Sequence, residues 1–160
     1  MTMTVQATIA PASLRRMLPS VWLDHALRRE LGHVAASTGV REFVGLLAGE
    51  RTASQWRVTA MLPLPNLATG NDAFVVDPVA FAAAEAALRT AGFAWLGFVH
   101  SHPTSSAAMS AVDRECLWRG CLQLIVGGVA EDDDDLRAYF GDAEGWHVLR
   151  LQPADAAAVS

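Results

Sequence analysis

The segment Phe93-Ala94-Trp95-Leu96-Gly97-Phe98-Val99-His100 is almost wholly apolar. Successive side chains of a strand point to opposite faces, so a strand apolar at every step has to be covered on both. Leu122 to Val126 and Phe43 to Leu47 are compact runs of the same kind, followed by Gly127-Gly128 and Gly49. Buried strands of this type need layers of helix above and below them, and the rest of the chain is arranged to supply such layers.

Leu23, Leu27, Leu31 and Val34 recur at three and four, which predicts an amphipathic helix over about 20–37 with Ser20 as its cap. Trp56 to Met61 alternates and reads as a strand beside Phe43–Leu47, closed by Pro63 and Pro65. A polar link, Asn66 to Asp72, leads to a short strand at Phe74–Val76. Asp77-Pro78 opens an Ala-rich helix to about Thr90, and Gly92 stops it. A further helix is expected from Ser110 to about Arg119. Strands near 136–140 and 146–151 form a hairpin turning at Gly141 to Gly145. The expectation is an α/β domain of three layers, α/β/α, around a mixed sheet. One domain spans residues 14–151, and residues 1–13 and 152–160 are read as poorly ordered termini.

The 160 residues are 52% hydrophobic and 18% charged, with a formal charge of -5. That much apolar side chain offsets ordering entropy and excludes intrinsic disorder. A mildly acidic balance argues against nucleic-acid binding, which needs a basic face. No apolar run approaches the roughly 20 residues that cross a bilayer, and residues 1–13 lack the layout of a signal peptide, so a cytoplasmic protein without membrane contact is expected. Cys116 and Cys121 lack a zinc-knuckle spacing and are read as thiols in or near the core. The run Glu131 to Asp135 is read as a solvated hairpin loop, and His25, His33 and His147 as structural or surface residues.

Chemistry concentrates in His100-Ser101-His102-Pro103, followed by Ser110 and Asp113. Side chains at i and i+2 of an extended segment share a side, so His100 and His102 can present two imidazoles to one point. Asp113, one turn into the next helix, brings a carboxylate from another direction. Two nitrogens and one carboxylate oxygen make a three-ligand zinc site with an open position, the mark of a catalytic centre. Ser110-x-x-Asp113 also reads as a capping box, which is compatible with metal binding because the cap fixes the helix that holds Asp113. Zinc draws the pKa of bound water toward about 7. A carboxylate that is not a ligand can then take the proton and deliver it to a leaving amine. Glu42, at the entry to Phe43–Leu47, faces the metal if its strand neighbours that of His100.

This pattern resembles the signature of the JAMM (MPN+) metallopeptidases of the JAB-domain family: Glu, a long gap, then His-Ser/Thr-His-x7-Ser-x-x-Asp. Glu42-x-x-Gly45-x-Leu47-x-Gly49 is similar to the family's stretch around its catalytic Glu. The likeness is to the small stand-alone bacterial type, although many of those have Cys where this chain has Val44. The resemblance implies a cytidine-deaminase-like fold with a curved mixed sheet. It also implies zinc on His100, His102 and Asp113, activation of the metal's water by Glu42, and help from Ser110 in holding the oxyanion. The zinc-deaminase signature, His-x-Glu with Pro-Cys-x-x-Cys, is missing, so base deamination is not implied.

Small bacterial relatives are associated with ubiquitin-like sulfur-carrier proteins that end in Gly-Gly. The resemblance thus implies a zinc peptidase or isopeptidase cutting at such a tail. The stretch Thr69–Val76, polar and bordering a strand, is read as lining the groove. The competing reading is a non-catalytic interaction module, as the MPN- members are. Those usually lose ligands, whereas here the ligands and Glu42 are all present.

Overall fold

The computed structural model describes residues 17–128 and 135–153. The elements are β1 (Ser20–Leu23), α1 (His25–Ser37), β2 (Val44–Arg51), β3 (Gln55–Leu64), α2 (Pro78–Thr90), β4 (Ala94–His102), α3 (Ala111–Cys116), β5 (Leu122–Gly127), β6 (Leu136–Gly141), β7 (Trp146–Leu149) and β8 (Leu151–Pro153). One eight-stranded sheet runs β7-β6-β5-β4-β2-β3-β1-β8. It is mixed: β4 pairs with β5 in parallel and with β2 antiparallel. The three apolar runs that dominate the sequence, β2, β4 and β5, occupy adjacent central places.

Helices cover both faces. Leu27, Leu31 and Ala35 of α1 share a core with Leu47, Val99, Leu122, Leu124 and Val126. Ala84 and Leu88 of α2 pack with Val44, Leu46, Ala48 and Phe98 on the other side. Leu117, just after α3, joins Ile125 and Tyr139 on that same second face. The arrangement is the expected three-layer α/β/α one.

The sheet curls strongly. Trp56 of β3 and Phe140 of β6 lie four strands apart in the order, roughly 19 Å in a flat sheet. Their ring centroids are 5.5 Å apart. The two ends of the order, β7 and β8, are separated in the chain by Arg150 alone, and Arg150 O accepts from Val21 N at 2.8 Å. One extended segment thus pairs with β6 through its first half and with β1 through its second, nearly closing the sheet. Close strand approach explains Gly97, where a Cβ would fall 1.8 Å from Leu122 O.

Several sequence expectations shift. The first helix begins at His25 rather than Ser20, with Asp24 as its cap, accepting from Leu27 N at 2.6 Å. Ser20–Leu23 is a strand because Val21 and Leu23, two apart, both find core partners between β3 and β8. Phe74–Val76 is not a strand; its residues run as a loop. The third helix stops at Cys116, where Leu117 turns extended and buries its side chain. The expected strand 146–151 is two short strands, and Gln152 and Pro153 lie in β8. Residues 1–13 and 154–160 lie outside the described residues. Cys121 is buried, as expected, but Cys116 is exposed. No helix among the described residues is long and apolar enough to cross a membrane.

Candidate metal centre

His100 and His102 end β4 on the face that also carries Phe98, and Asp113 stands in the first turn of α3. The parallel β4–β5 pair needs a crossover, and the 103–121 connection with α3 provides it. The crossover sets Asp113 over the end of β4. His100 Nε2 lies 3.2 Å from His102 Nε2 and 3.2 Å from Asp113 Oδ1, and His102 Nε2 lies 3.1 Å from Asp113 Oδ2. Atoms about 2.0–2.1 Å from a tetrahedral centre are about 3.3 Å apart, so the three donors are spaced as ligands of one small cation. All three residues are buried. The residues therefore fit a metal, and two imidazole nitrogens held this close need either a proton or a cation between them.

The three side chains able to hold a metal are fixed from behind. His102 Nδ1 lies 2.9 Å from Ser106 O, which assigns a proton to Nδ1; Nε2 would offer its lone pair to a bound metal, and without one it carries the proton donated to Asp113. Asp113 Oδ2 accepts from Ser110 N at 2.8 Å while Ser110 Oγ accepts from Asp113 N at 3.0 Å, the reciprocal capping box expected from the sequence. Burial raises the Asp113 pKa, but hydrogen bonds from His100 and His102 outweigh it and hold the carboxyl well below its ordinary range. Burial pulls His102 down, yet its bonds to Asp113 and Ser106 win and its pKa is raised. For the fully buried His100 the burial wins and the pKa is lowered.

Glu42 comes to the same place through the sheet. Val44 pairs with His100, and Ser101 N donates to Phe43 O at 3.0 Å. Continuing that antiparallel register sets Glu42 opposite His102. The strand adjacency that the spacing left open is therefore present. Glu42 is 7% exposed, and burial pushes its pKa up to about 7, with His102 opposing the shift and Asp113 and Asp72 adding to it. A buried carboxyl with a pKa near neutrality, beside a ligand cluster, is suited to take and return protons. The structure thus brings together His100, His102, Asp113 and Ser110 on one side and Glu42 on the other.

The sequence pattern missed the groups that brace the site. Asp135, grouped with the solvated run, has a largely covered side chain that accepts from Ala107 N at 2.7 Å. Tyr139 Oη donates to Ala107 O at 2.9 Å. Together they clamp the loop next to Ser106, the partner of His102. Glu131 to Asp134 lie outside the described residues. His147, which the sequence reads as a structural or surface residue, sits 3.0 Å from Asp142 in the β6–β7 hairpin.

A curved mixed sheet between helices, with a buried His-His-Asp set able to hold a metal at the end of a central strand, defines a metal-site α/β domain. The family model described as prokaryotic homologs of the JAB domain matches residues 24–140, and the chain belongs to that family. It is similar to the desampylase of Haloferax volcanii, 39% identical over 93 residues, or 57% of this chain and 66% of that protein. A "probable TtuB-protein conjugate cleaving protease" of Thermus thermophilus is 38% identical over 81 residues, 49% of this chain and 51% of that one. The matches thus span about two-thirds and about half of these curated relatives. A solved structure from Desulfitobacterium hafniense superposes with a TM-score of 0.76 at 25% identity, covering 83% of this chain and 92% of that one.

Proposed function

We propose that this chain is a zinc-dependent peptidase or isopeptidase. It hydrolyses a peptide or isopeptide bond at the C-terminal Gly-Gly tail of a ubiquitin-like or sulfur-carrier protein, in the cytoplasm, with residues 14–151 as its catalytic domain. The observation that carries the proposal is the convergence of three buried ligand atoms beside a buried carboxyl that is not one of them. The two curated relatives support the class, and the name of one speaks of cleaving protein conjugates.

In this reading His100, His102 and Asp113 hold the zinc. When bound, the ion supplies a Lewis acid for the scissile carbonyl and lowers the pKa of water at the site. Glu42 takes the proton at a carboxylate oxygen and passes it to the leaving amine. Ser110 spends an oxygen lone pair on Asp113 N, so its O–H remains to donate to the oxyanion. Thr69–Val76 lines the groove, with Val75 exposing an apolar side chain to the tail. Glycines without Cβ suit a narrow passage past the metal.

The test uses fusions of ubiquitin-like proteins from the same genome, each extended beyond its Gly-Gly by a reporter. Zinc-loaded protein should release the reporter after the diglycine, and tail binding should move the amide resonances of 69–76. Folded, zinc-loaded protein that binds these tails and cuts none overturns the proposal in favour of a non-catalytic interaction module.

A further inference from the structure

Two features of the site lack the support that a catalytic constellation needs. Glu42 stands two residues before the first residue of its strand. His100 has no partner for its buried Nδ1 among the described residues, whereas metal-binding imidazoles ordinarily anchor that second nitrogen. Apart from its Nε2 contacts with Asp113 and His102, the His100 ring is oriented by packing: the Phe74 ring lies against it, centroids 4.9 Å apart and planes 40° apart.

Both features lead to Asn66. Its Nδ2 donates to Glu42 O at 2.9 Å and to Ala73 O at 3.1 Å. Its Oδ1 accepts from Ala68 N at 2.9 Å and from Val75 N at 3.1 Å. An Asn carboxamide has two donor hydrogens and two acceptor lone pairs, and here each is used on a main-chain group. Ala73 and Val75 flank Phe74, so the carboxamide grips the chain on both sides of the residue that packs on His100. Leu67 N donates to Val75 O at 2.9 Å, and Arg41 Nη2 donates to Asn66 O and Ala68 O at 3.2 and 2.6 Å, closing the same loop from outside.

We infer that Asn66 is a positioning residue that sets both halves of the site, the main chain of Glu42 directly and the imidazole of His100 through Phe74. The inference rests on the proposed roles of Glu42 and His100 and touches neither reacting atom itself. Asn66→Asp keeps the size and the two acceptor contacts, removes both donor contacts and turns an oxygen toward two carbonyls. Outer groups that orient metal ligands are typically worth 10–100-fold in affinity.

The experiment measures zinc affinity by chelator competition, at a temperature where each variant is fully folded. Asn66→Asp should weaken zinc about tenfold and, with zinc saturating, lower kcat about tenfold through the displaced Glu42. Phe74→Leu should also weaken zinc, and adding Asn66→Asp to it should weaken zinc little further. In the wild type, the Asn66 carboxamide protons should exchange far more slowly than those of a solvated Asn. Wild-type zinc affinity in folded Asn66→Asp, additive losses in the double variant, or carboxamide exchange at the solvated rate each overturn the inference. If Asn66→Asp does not fold, the wild-type exchange rate decides. The zinc and exchange readouts do not involve Glu42, so full turnover in Glu42→Gln would sink the assigned base without deciding the role of Asn66.

Discussion

The two faces of β4 show how one strand serves two purposes. Toward α1, Leu96 and Val99 sit in an apolar cluster with Leu31, Leu47 and Leu124, and the hydroxyl of Ser101 is spent on Phe43 N. Toward α2 and α3 the same strand reads Phe98, His100, His102, passing from aromatic packing to two side chains able to hold a metal within five residues. The pleat separates the two sets, so chemistry can be installed on one face without cutting into the core on the other. Buried charge on the second face is tolerable because each group answers another: Asp113 is bonded by both imidazoles and by the Ser110 N–H. The α1 face has no such dependence. Changes on the site face should remove function and spare the fold, and changes on the α1 face should do the reverse.

The largest effect on that contrast is expected from His102→Ala. It removes one of three ligands and the anchor to Ser106, so zinc binding and turnover should both fall to background while the far-ultraviolet circular dichroism is unchanged. Undiminished zinc in the purified variant would break the site assignment. Glu42→Gln comes next: zinc should remain, and turnover should drop about 10²–10⁴-fold, the usual contribution of a positioned base. Its effect on stability has the opposite sign. A carboxyl whose pKa is raised from 4.5 to about 7 on folding supports the folded state fully below about 4.5, and that support is lost as pH climbs through 7. The metal-free Glu42→Gln protein should therefore outlast metal-free wild type in urea at pH 8, by on the order of 2–3 kcal/mol. The advantage should vanish near pH 4. In the zinc-loaded enzyme, activity should fall on the acid side as Glu42 protonates, and the ion's charge should draw that limb below 7.

Ser110→Ala should act more weakly, because the residue has two separable duties. Loss of the cap costs about 1 kcal/mol of stability, and loss of the O–H donor costs about 10²–10³ in kcat. Ser110→Thr restores both groups and should recover most of each. A kcat in Ser110→Ala equal to wild type would leave the residue as a cap alone.

The parts of this site that were legible in the sequence are those set by local geometry. His100 and His102 are two apart on a strand, and Ser110 and Asp113 three apart at a helix start, so periodicity alone puts each pair on one side. The Glu42–His102 juxtaposition depends on β2 pairing with β4 in one register, a contact between positions 60 residues apart that no local pattern records. The role of Asn66 was hidden for a related reason. A polar residue in a polar link reads as a turn, and its four partners appear only once residues 42, 68, 73 and 75 are brought around it. The start of α1 is ambiguous in the sequence because Leu23 fits both the helical spacing to Leu27 and the alternation with Val21. Partners in β3 and β8 decide between the two periods, and those partners are distant in sequence. The closure of the sheet through residues 146–153 was invisible likewise, since a hairpin's second strand carries no mark of a further neighbour.

Leu31→Ala should have the smallest effect on turnover. Leu31 is 1% exposed and faces the α1 core, which includes Val99, the strand neighbour of His100 on the opposite face. Removing its branched end leaves a cavity and should cost 2–5 kcal/mol, roughly the range for buried leucines. That is a large share of a small domain's stability, so the urea midpoint should fall sharply. Nothing in the ligand set is touched: the donors are held from the other side by Ser106, Ser110 and the end of β4. With protein kept in the cold and fully folded, zinc affinity and kcat should match wild type. A loss of zinc affinity in folded Leu31→Ala would mean that strain crosses β4 from one face to the other, and that the pleat does not insulate the metal centre from the core.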